Sequence, residues 1–199
     1  MCFFPISYLD RRQTLPAKVK NTGMRFALLA LIVGAAMTSA SVAVGELSLK
    51  ARADRRVPCS EAISATAFPY VGDRTHRYRL VLGVVSAPPA FMSQIVRGDS
   101  PAWPHWHKEG IVVRNSGETV TVSVPHAWRN RAAIAWGYGG HGEPFQSVVL
   151  VGCGLQKTRG RAYSGGFYLR AHAACVPLTF RVGKRTSTVR FGLGRHCSR

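Results

Sequence analysis

The sequence predicts an all-β fold, a single antiparallel β-sandwich of about eight strands with an immunoglobulin-like or jelly-roll topology. The first observation behind this prediction is strict alternation. In "ETVTVSV" (118–124) three valines point one way, while two threonines and a serine point the other. A period of two is typical of a strand with one buried and one solvated face. The second observation is that similar runs recur at short intervals between Gly, Pro and Asn breaks, and that no long segment has a period of 3.6.

The predicted strands follow one another in short order. Residues 115–117 (Asn-Ser-Gly) join the second and third strands into a hairpin, and the last two strands fold about Lys184 and Arg185. Segments 61–68 and 90–97 have room for a short helix each. No Trp follows Cys59 at the distance of the immunoglobulin signature. The sequence therefore does not decide between the immunoglobulin-like and the jelly-roll topology. The eight strands cover residues 78–86, 111–114, 118–124, 132–136, 145–151, 166–171, 177–182 and 188–193.

The first forty residues predict export. Basic residues precede the apolar run 26–37, and small residues end at Ala40, which is the pattern of a cleavable signal peptide. We expect a mature N-terminus near Ser41 or Val44, in a secreted or cell-envelope protein. The alternative is an uncleaved N-terminal helix that anchors the protein in the membrane. The chain divides into a mis-assigned start or leader (1–23), a signal peptide (24–40), a flexible leader (41–58) and the β-sandwich domain (59–199).

Four cysteines remain after the signal segment, and an exported domain is expected to use them as two disulfides. The terminal hairpin brings Cys175 close to Cys197, which leaves Cys59 to pair with Cys153. A bridge between Cys153 and Cys175 is the open alternative. No Cys-x-x-Cys pair is present, which argues against a structural zinc site.

The charge of the chain is strongly positive. From residue 41 onward there are 22 Lys and Arg against 8 Asp and Glu, and no acidic residue follows Glu143. Such a field attracts anionic polymers, although arginine-rich codon usage in a GC-rich genome is an alternative source of the charge. In the predicted hairpin register Arg181 lies near Thr188, and Thr179 lies near Arg190. The predicted polyanion-binding residues are Arg181, Lys184, Arg185, Arg190 and Arg195.

The stretch "AWPHWHKEG" (102–110) contains the one motif that suggests a metal. His105 and His107 are two residues apart, so on a strand both would point to the same face. Pro104 fits poorly inside a paired strand, and we therefore expect a structural loop in which two tryptophans cap the core. The alternative is a metal-assisted site made of His105, His107, His141 and Glu143, with His126 as a further candidate ligand.

Hydrolytic chemistry has little support in the sequence. All three aspartates after residue 40 lie in the N-terminal half of the mature chain, and no Gly-x-Ser-x-Gly elbow is present. No pair of carboxylates is placed across a predicted cleft. We therefore assign no catalytic residue and expect no cofactor.

Three blocks of the C-terminal half resemble an uncharacterised family of secreted actinobacterial β-sandwich proteins. They are "WRNRAAIAWG", "YSGGFYLRA" and "CVPLTFRVGKRTSTVRFGLGRHC", and the resemblance covers roughly residues 105–199. The resemblance implies export and a β fold. It implies no activity, so no functional residue is carried over.

These observations predict an exported, non-catalytic β-sandwich protein that binds an anionic envelope polymer, or an envelope partner, through a basic face. Nucleic acid would be bound without sequence specificity, and no stable membrane insertion is expected once the signal is cleaved. The alternative function is a small exported enzyme with the His/Glu metal-assisted site.

Overall fold

The computed structural model describes residues 51–137 and 143–198, and these residues build an all-β fold of two sheets. The larger sheet has ten strands and is curled into a half-barrel, and the smaller sheet has five. The predicted fold class is therefore confirmed. The predicted single sandwich of about eight antiparallel strands is too simple, because fifteen strands are present and two of the pairings are parallel.

The strands are short and follow one another closely along the chain. Two 3₁₀ turns, Cys59–Glu61 and His126–Trp128, are the only helical elements among the described residues. The strands are β1 (Arg52–Val57), β2 (Ser64–Ala67), β3 (Arg79–Val81), β4 (Val85–Ala87), β5 (Phe91–Met92), β6 (Val96–Ser100), β7 (Trp103–Lys108), β8 (Ile111–Arg114), β9 (Val120–Ser123), β10 (Ala132–Trp136), β11 (Phe145–Leu150), β12 (Arg159–Tyr163), β13 (Gly165–Leu169), β14 (Ala174–Val182) and β15 (Arg185–Leu193).

The order of the strands places the C-terminal hairpin toward one edge of the large sheet. That sheet runs β5-β15-β14-β9-β11-β10-β13-β7-β6, with β1 paired in parallel to β11. The small sheet runs β2-β12-β8-β4-β3. Strands β14 and β15 are nine residues each, so the hairpin they form is the longest paired element.

Two local predictions, one pairing and one continuous strand, are wrong because turns redirect the chain. Strands β8 and β9 do not form a hairpin, since β8 pairs with β12 and β4 while β9 pairs with β11 and β14. The Asn115 amide donates to the Arg159 carbonyl of the small sheet, 2.9 Å away, so the turn at 115–117 carries the chain between sheets. The predicted strand 78–86 is the tight hairpin β3–β4, because Leu82 and Gly83 both have positive φ angles.

Residues 52–57 form strand β1, although the sequence predicted a flexible leader there. Strand β1 runs parallel to β11, with Arg55 opposite Val148 and Val57 opposite Leu150. Its exposed positions are mostly charged, as is common in strands that border a sheet. Because so few of its residues are apolar, the strand shows no alternation of apolar and polar residues in the sequence. Residues 41–50 of the predicted leader, the predicted signal peptide (24–40) and the predicted start segment (1–23) lie outside the described residues.

A single hydrophobic core joins the two sheets. Fully buried aromatic rings occupy its centre: Trp136 lies 5.7 Å from Phe167, and Phe191 lies 5.4 Å from Phe167 and 6.3 Å from Phe180. These rings come from four strands of the large sheet. Val85, Ile111 and other residues of the small sheet pack into the same cluster.

Both disulfides have the expected partners. Cys175 is bonded to Cys197 across the end of the terminal hairpin, and Cys59 is bonded to Cys153, which lies shortly after β11. The open alternative, Cys153 with Cys175, is excluded by these bonds. In the described ranges no helix is long and apolar enough to cross a bilayer.

Candidate functional site

The histidine stretch is a strand, so the predicted loop is wrong. Strand β7 pairs with β13 on one side and with β6 on the other. Pro104 is tolerated at this position because no paired residue needs its backbone N–H. The pairing with β13 starts only at His105, and the pairing with β6 is interrupted by a register shift at the same place. Trp103 and Trp106 are buried in the core, so they are core residues rather than the half-solvated caps that the sequence predicted.

The structure does not gather the predicted metal ligands. His105 packs beside His172, with 5.4 Å between the ring centroids, and the Nδ1 atom of His107 donates to the Gln94 carbonyl. Glu143 forms an ion pair with Arg52 at 3.0 Å. Across residues 51–137 and 143–198 no three His, Cys, Asp or Glu side chains converge. His141 lies outside the described residues, and His126 begins the second 3₁₀ turn.

A partly buried polar cluster that the sequence did not predict surrounds Glu109. The Tyr78 hydroxyl donates to Oε1 of this carboxylate at 2.6 Å, and the Gly110 amide donates to the same oxygen at 2.9 Å. Nε2 of His107 lies 4.0 Å from the other oxygen, Oε2. These contacts link the residue that precedes β3 to the turn between β7 and β8.

The pKa of Glu109 reflects two opposing effects. Burial raises the pKa, but His107, the Tyr78 hydroxyl and the Gly110 amide together hold it below its ordinary value. Burial, followed by the bond to Glu109, raises the pKa of Tyr78. The cluster is therefore a carboxylate that hydrogen-bond donors hold in its ionised form. Its role is structural, because these hydrogen bonds fix the turn between β7 and β8.

The C-terminal hairpin has a different register from the predicted one. Val182 pairs with Arg185, so the turn is Gly183–Lys184, where Gly183 has the positive φ that such a tight turn requires. Arg181 therefore lies opposite Thr186, and Thr179 lies opposite Thr188. The predicted pairs, Arg181 with Thr188 and Thr179 with Arg190, are each off by two residues.

Arg185 is engaged elsewhere and does not belong to the same basic surface as Arg181. Its guanidinium donates to the Leu82 carbonyl at 2.9 Å and to Glu118 at 2.8 Å. It therefore ties the turn end of the hairpin to the β3–β4 turn of the small sheet. Lys184 is exposed on the turn itself.

Arg181 and Arg190 lie on the outer, solvated face of the hairpin. Arg181 is flanked by Thr186 on β15 and Thr121 on β9, since directly paired residues share a face of the sheet. Arg190 lies opposite Pro177 on the same face. Both arginines are exposed, so this surface combines guanidinium groups with threonine hydroxyls.

Arg195 belongs to a cavity at the opposite end of the hairpin, which we call the arginine pocket. The pocket has a volume of about 500 Å³. It lies between the turn after β9, the turn between β13 and β14, and the tail that follows β15. Its lining residues are Trp128, Arg131, Arg170, Ala171, Ala173, Ala174, Cys175 and Arg195.

The arginines of this pocket are held by aromatic rings and by the backbone. The Arg131 guanidinium lies over the indole of Trp128, 5.4 Å from its centroid, and that of Arg170 lies over Trp103 at 5.2 Å. The Arg170 amide donates to the Arg131 carbonyl at 3.1 Å, which fixes the two turns together. Arg195 is positioned by the Cys175–Cys197 bridge, two residues away.

Among the residues that the structure describes, no acidic side chain lines the arginine pocket. Within the described ranges, the ion pairs of the protein involve other arginines, namely Arg52, Arg55, Arg114 and Arg185. The guanidinium groups of Arg131, Arg170 and Arg195 therefore have no carboxylate partner there. This is the arrangement expected of a site that receives an anion from solution.

The outer face of the hairpin leads into the arginine pocket. Cys175, Pro177 and Arg181 share one face of β14, and a strand rises ~3.3 Å per residue. Arg190, opposite Pro177, is thus ~7 Å along the strand from the pocket wall at Cys175, and Arg181 is ~20 Å from it. We call the set Arg181, Arg190, Arg131, Arg170 and Arg195 the basic track.

The sequence predicted three members of the basic track and missed two. Arg131 lies in the turn directly before β10 and Arg170 in the turn directly after β13, where an isolated arginine is ordinarily a solvated surface residue. Trp128 in "HAWRNR" was the available signal, because a tryptophan in an exposed turn needs a packing partner. Only the pairing of distant strands brings these residues beside Arg195.

Comparison with known proteins adds no family assignment. No protein-family model matches the chain, and no curated protein matches it.

Proposed function

We propose that this protein is an exported, non-catalytic binding protein that holds an anionic polymer of the cell envelope on the basic track. The observation that carries the proposal is the arginine pocket, in which three exposed guanidinium groups lie together without a carboxylate among the described residues. Surface arginines that serve only solubility are usually mixed with acidic neighbours. The pocket instead concentrates charge of one sign.

The location of the protein is supported by its cysteines. Two disulfides fit a protein that folds in an oxidising compartment, where such bonds persist. The predicted signal peptide would deliver the chain to that compartment. The polymers available there carry carboxylate or phosphate groups, for which arginine is the preferred partner because its planar fork makes paired hydrogen bonds.

The outer face of the hairpin suits a long, hydrated ligand. Threonines alternate with the arginines on this face, and the Thr179 and Thr188 hydroxyls lie 3.1 Å apart. Hydroxyl groups can donate or accept hydrogen bonds, so they match a ligand that carries both anions and polar groups. A polymer lying along β14 would contact Arg181 and Arg190 and then reach the arginine pocket.

The test is polymer binding by a variant that lacks the two outer arginines. At roughly 1 kcal/mol for each cation facing an anionic surface, Arg181→Gln with Arg190→Gln should weaken binding to polygalacturonate or heparin by about 30-fold at low salt. The measurement is a Kd from calorimetry or biolayer interferometry. The fold should be unaffected, because both side chains are exposed and neither forms an ion pair with a described carboxylate.

The matched control is Arg74→Gln with Arg159→Gln. These arginines are also exposed, but they lie in the 71–77 loop and on β12 of the small sheet, away from the basic track. The control has the same net charge as the test variant and should bind like the wild type. Equal weakening in the two variants, or no binding by the wild type at low salt, would contradict the proposal.

A further inference from the structure

We propose that the arginine pocket is a subsite for one acidic sugar ring, so that the polymer held on the basic track is an anionic polysaccharide. This inference rests on the proposed function and names its ligand class. It starts from the lining of the pocket, which joins two kinds of surface: three guanidinium groups, and an apolar wall of three alanines and Trp128. A bare anion would make no favourable contact with the apolar wall, and a neutral apolar ligand would make none with the guanidinium groups.

A ligand that satisfies both surfaces is a compact ring with an acid group. The C–H faces of a pyranose ring are apolar and can pack on methyl groups and on an indole, while a ring carboxylate can accept paired hydrogen bonds from arginine. The pocket volume of about 500 Å³ lies in the range of cavities that bind small molecules. Stacking over Trp128 and Trp103 orients Arg131 and Arg170, so less side-chain freedom is lost on binding.

The same lining argues against a nucleic acid as the ligand. Proteins that bind single strands stack successive bases on successive aromatic side chains. Among the described residues that line this pocket, Trp128 is the one aromatic side chain, so successive bases would find no succession of rings. The outer face that leads to the pocket presents Thr179, Arg181 and Arg190 and no aromatic residue on β14 or β15. Hydroxyls and guanidinium groups match a hydroxyl-rich, carboxylated chain.

The experiment uses short probes that reach the pocket but cannot span the track. Trigalacturonate should bind the wild type at least tenfold more tightly than neutral trigalactose and more tightly than a thymidylate trimer. Arg131→Gln and Arg195→Gln should each weaken trigalacturonate binding about tenfold. The matched control Arg74→Gln, which removes one exposed arginine off the basic track, should leave it within twofold.

A second measurement reports on the pocket directly. Trigalacturonate should change the tryptophan emission of the wild type, and this change should disappear in Trp128→Phe, which keeps an aromatic wall. Circular dichroism and the thermal midpoint of each variant establish that it is folded.

The outcomes separate the inference from the function on which it rests. Polymer binding without any trigalacturonate binding would overturn the subsite and leave the proposed function standing. Tighter binding of the thymidylate trimer would overturn the subsite in favour of a nucleic acid. Absence of binding to polymer and trimer alike would overturn both.

Discussion

At the scale of single residues, Glu109 shows how a partly buried charge is accommodated in a small β protein. Its carboxylate receives the Tyr78 hydroxyl at 2.6 Å and the Gly110 amide at 2.9 Å, and its backbone carbonyl accepts the Trp136 indole N–H at 3.1 Å. Burial of an ion is costly unless donors surround it. Four strands of two sheets meet near this residue, so its hydrogen bonds stabilise their junction.

Loss of the Tyr78 hydroxyl should destabilise the protein in a pH-dependent way. We expect Tyr78→Phe to lower the free energy of unfolding by about 2 kcal/mol at pH 7, the usual contribution of a hydrogen bond to a charged group. The folded-state pKa of Glu109 is depressed, so its contribution is present above the unfolded pKa and is lost as the pH falls through the folded one. The cost of the substitution should therefore shrink on acidification.

Urea unfolding of the wild type and of Tyr78→Phe between pH 3 and pH 7 measures this effect. The control is Tyr70→Phe, which makes the same chemical change on the ring next to Tyr78. It should alter stability by less than ~0.5 kcal/mol, as is usual for partly exposed positions. A cost for Tyr78→Phe that does not vary with pH would show that the Glu109 carboxylate is not involved.

At the scale of elements, the two disulfides have different consequences for the basic track. The Cys175–Cys197 bridge closes the terminal hairpin across 22 residues and holds the tail that carries Arg195. The Cys59–Cys153 bridge closes 94 residues and joins the segment after β1 to the segment after β11. In the chain-entropy model these loops contribute about 3 and 4.7 kcal/mol to stability.

Removal of either bridge should destabilise the fold, but only one should affect the arginine pocket. We expect Cys175→Ser with Cys197→Ser to lower stability by about 3 kcal/mol and to weaken trigalacturonate binding about as much as Arg195→Gln does, because the tail is no longer fixed. Cys59→Ser with Cys153→Ser is the control: it should lower stability at least as much and leave the affinity unchanged while the protein is folded. Calorimetric Kd values together with thermal midpoints separate the two effects, and equal affinities in both variants would contradict the prediction.

At the scale of the whole molecule, the net charge of +18 attracts any polyanion at long range. A specific site on the basic track has to add binding free energy to this general attraction. The two contributions differ in their salt dependence, since each charge contact releases counterions. Five contacts along the basic track predict a log–log slope of about −4 for Kobs against salt concentration on a dense polyanion. The Arg181→Gln, Arg190→Gln variant should lower the magnitude of that slope by about 2.

Titrations of heparin binding between 50 and 300 mM salt provide this measurement. Arg74→Gln with Arg159→Gln should keep the wild-type slope, because these arginines lie off the basic track. A slope that falls equally in both variants would show that binding follows net charge alone.

Period-two alternation determined the fold class and the positions of β10, β11 and the terminal strands, and cysteine arithmetic predicted two disulfides with one pairing left open. These features depend on neighbours in the sequence, or on a hairpin that brings Cys175 to Cys197, so local reasoning reaches them. The same reasoning failed at β8 and β9, which look like a hairpin but enter different sheets, and at the charged strand β1.

Only the tertiary structure decided which charges form a site. The sequence placed Arg185 with Arg181, but a bond to Glu118, 67 residues away, removes Arg185 from the outer face. Arg131 and Arg170 join Arg195 because the start of β10, the end of the neighbouring β13 and the tail after β15 lie together around one pocket. Charge acts through space and a sequence pattern records only order along the chain, so the excess of arginine was predictable and its concentration around one pocket was not.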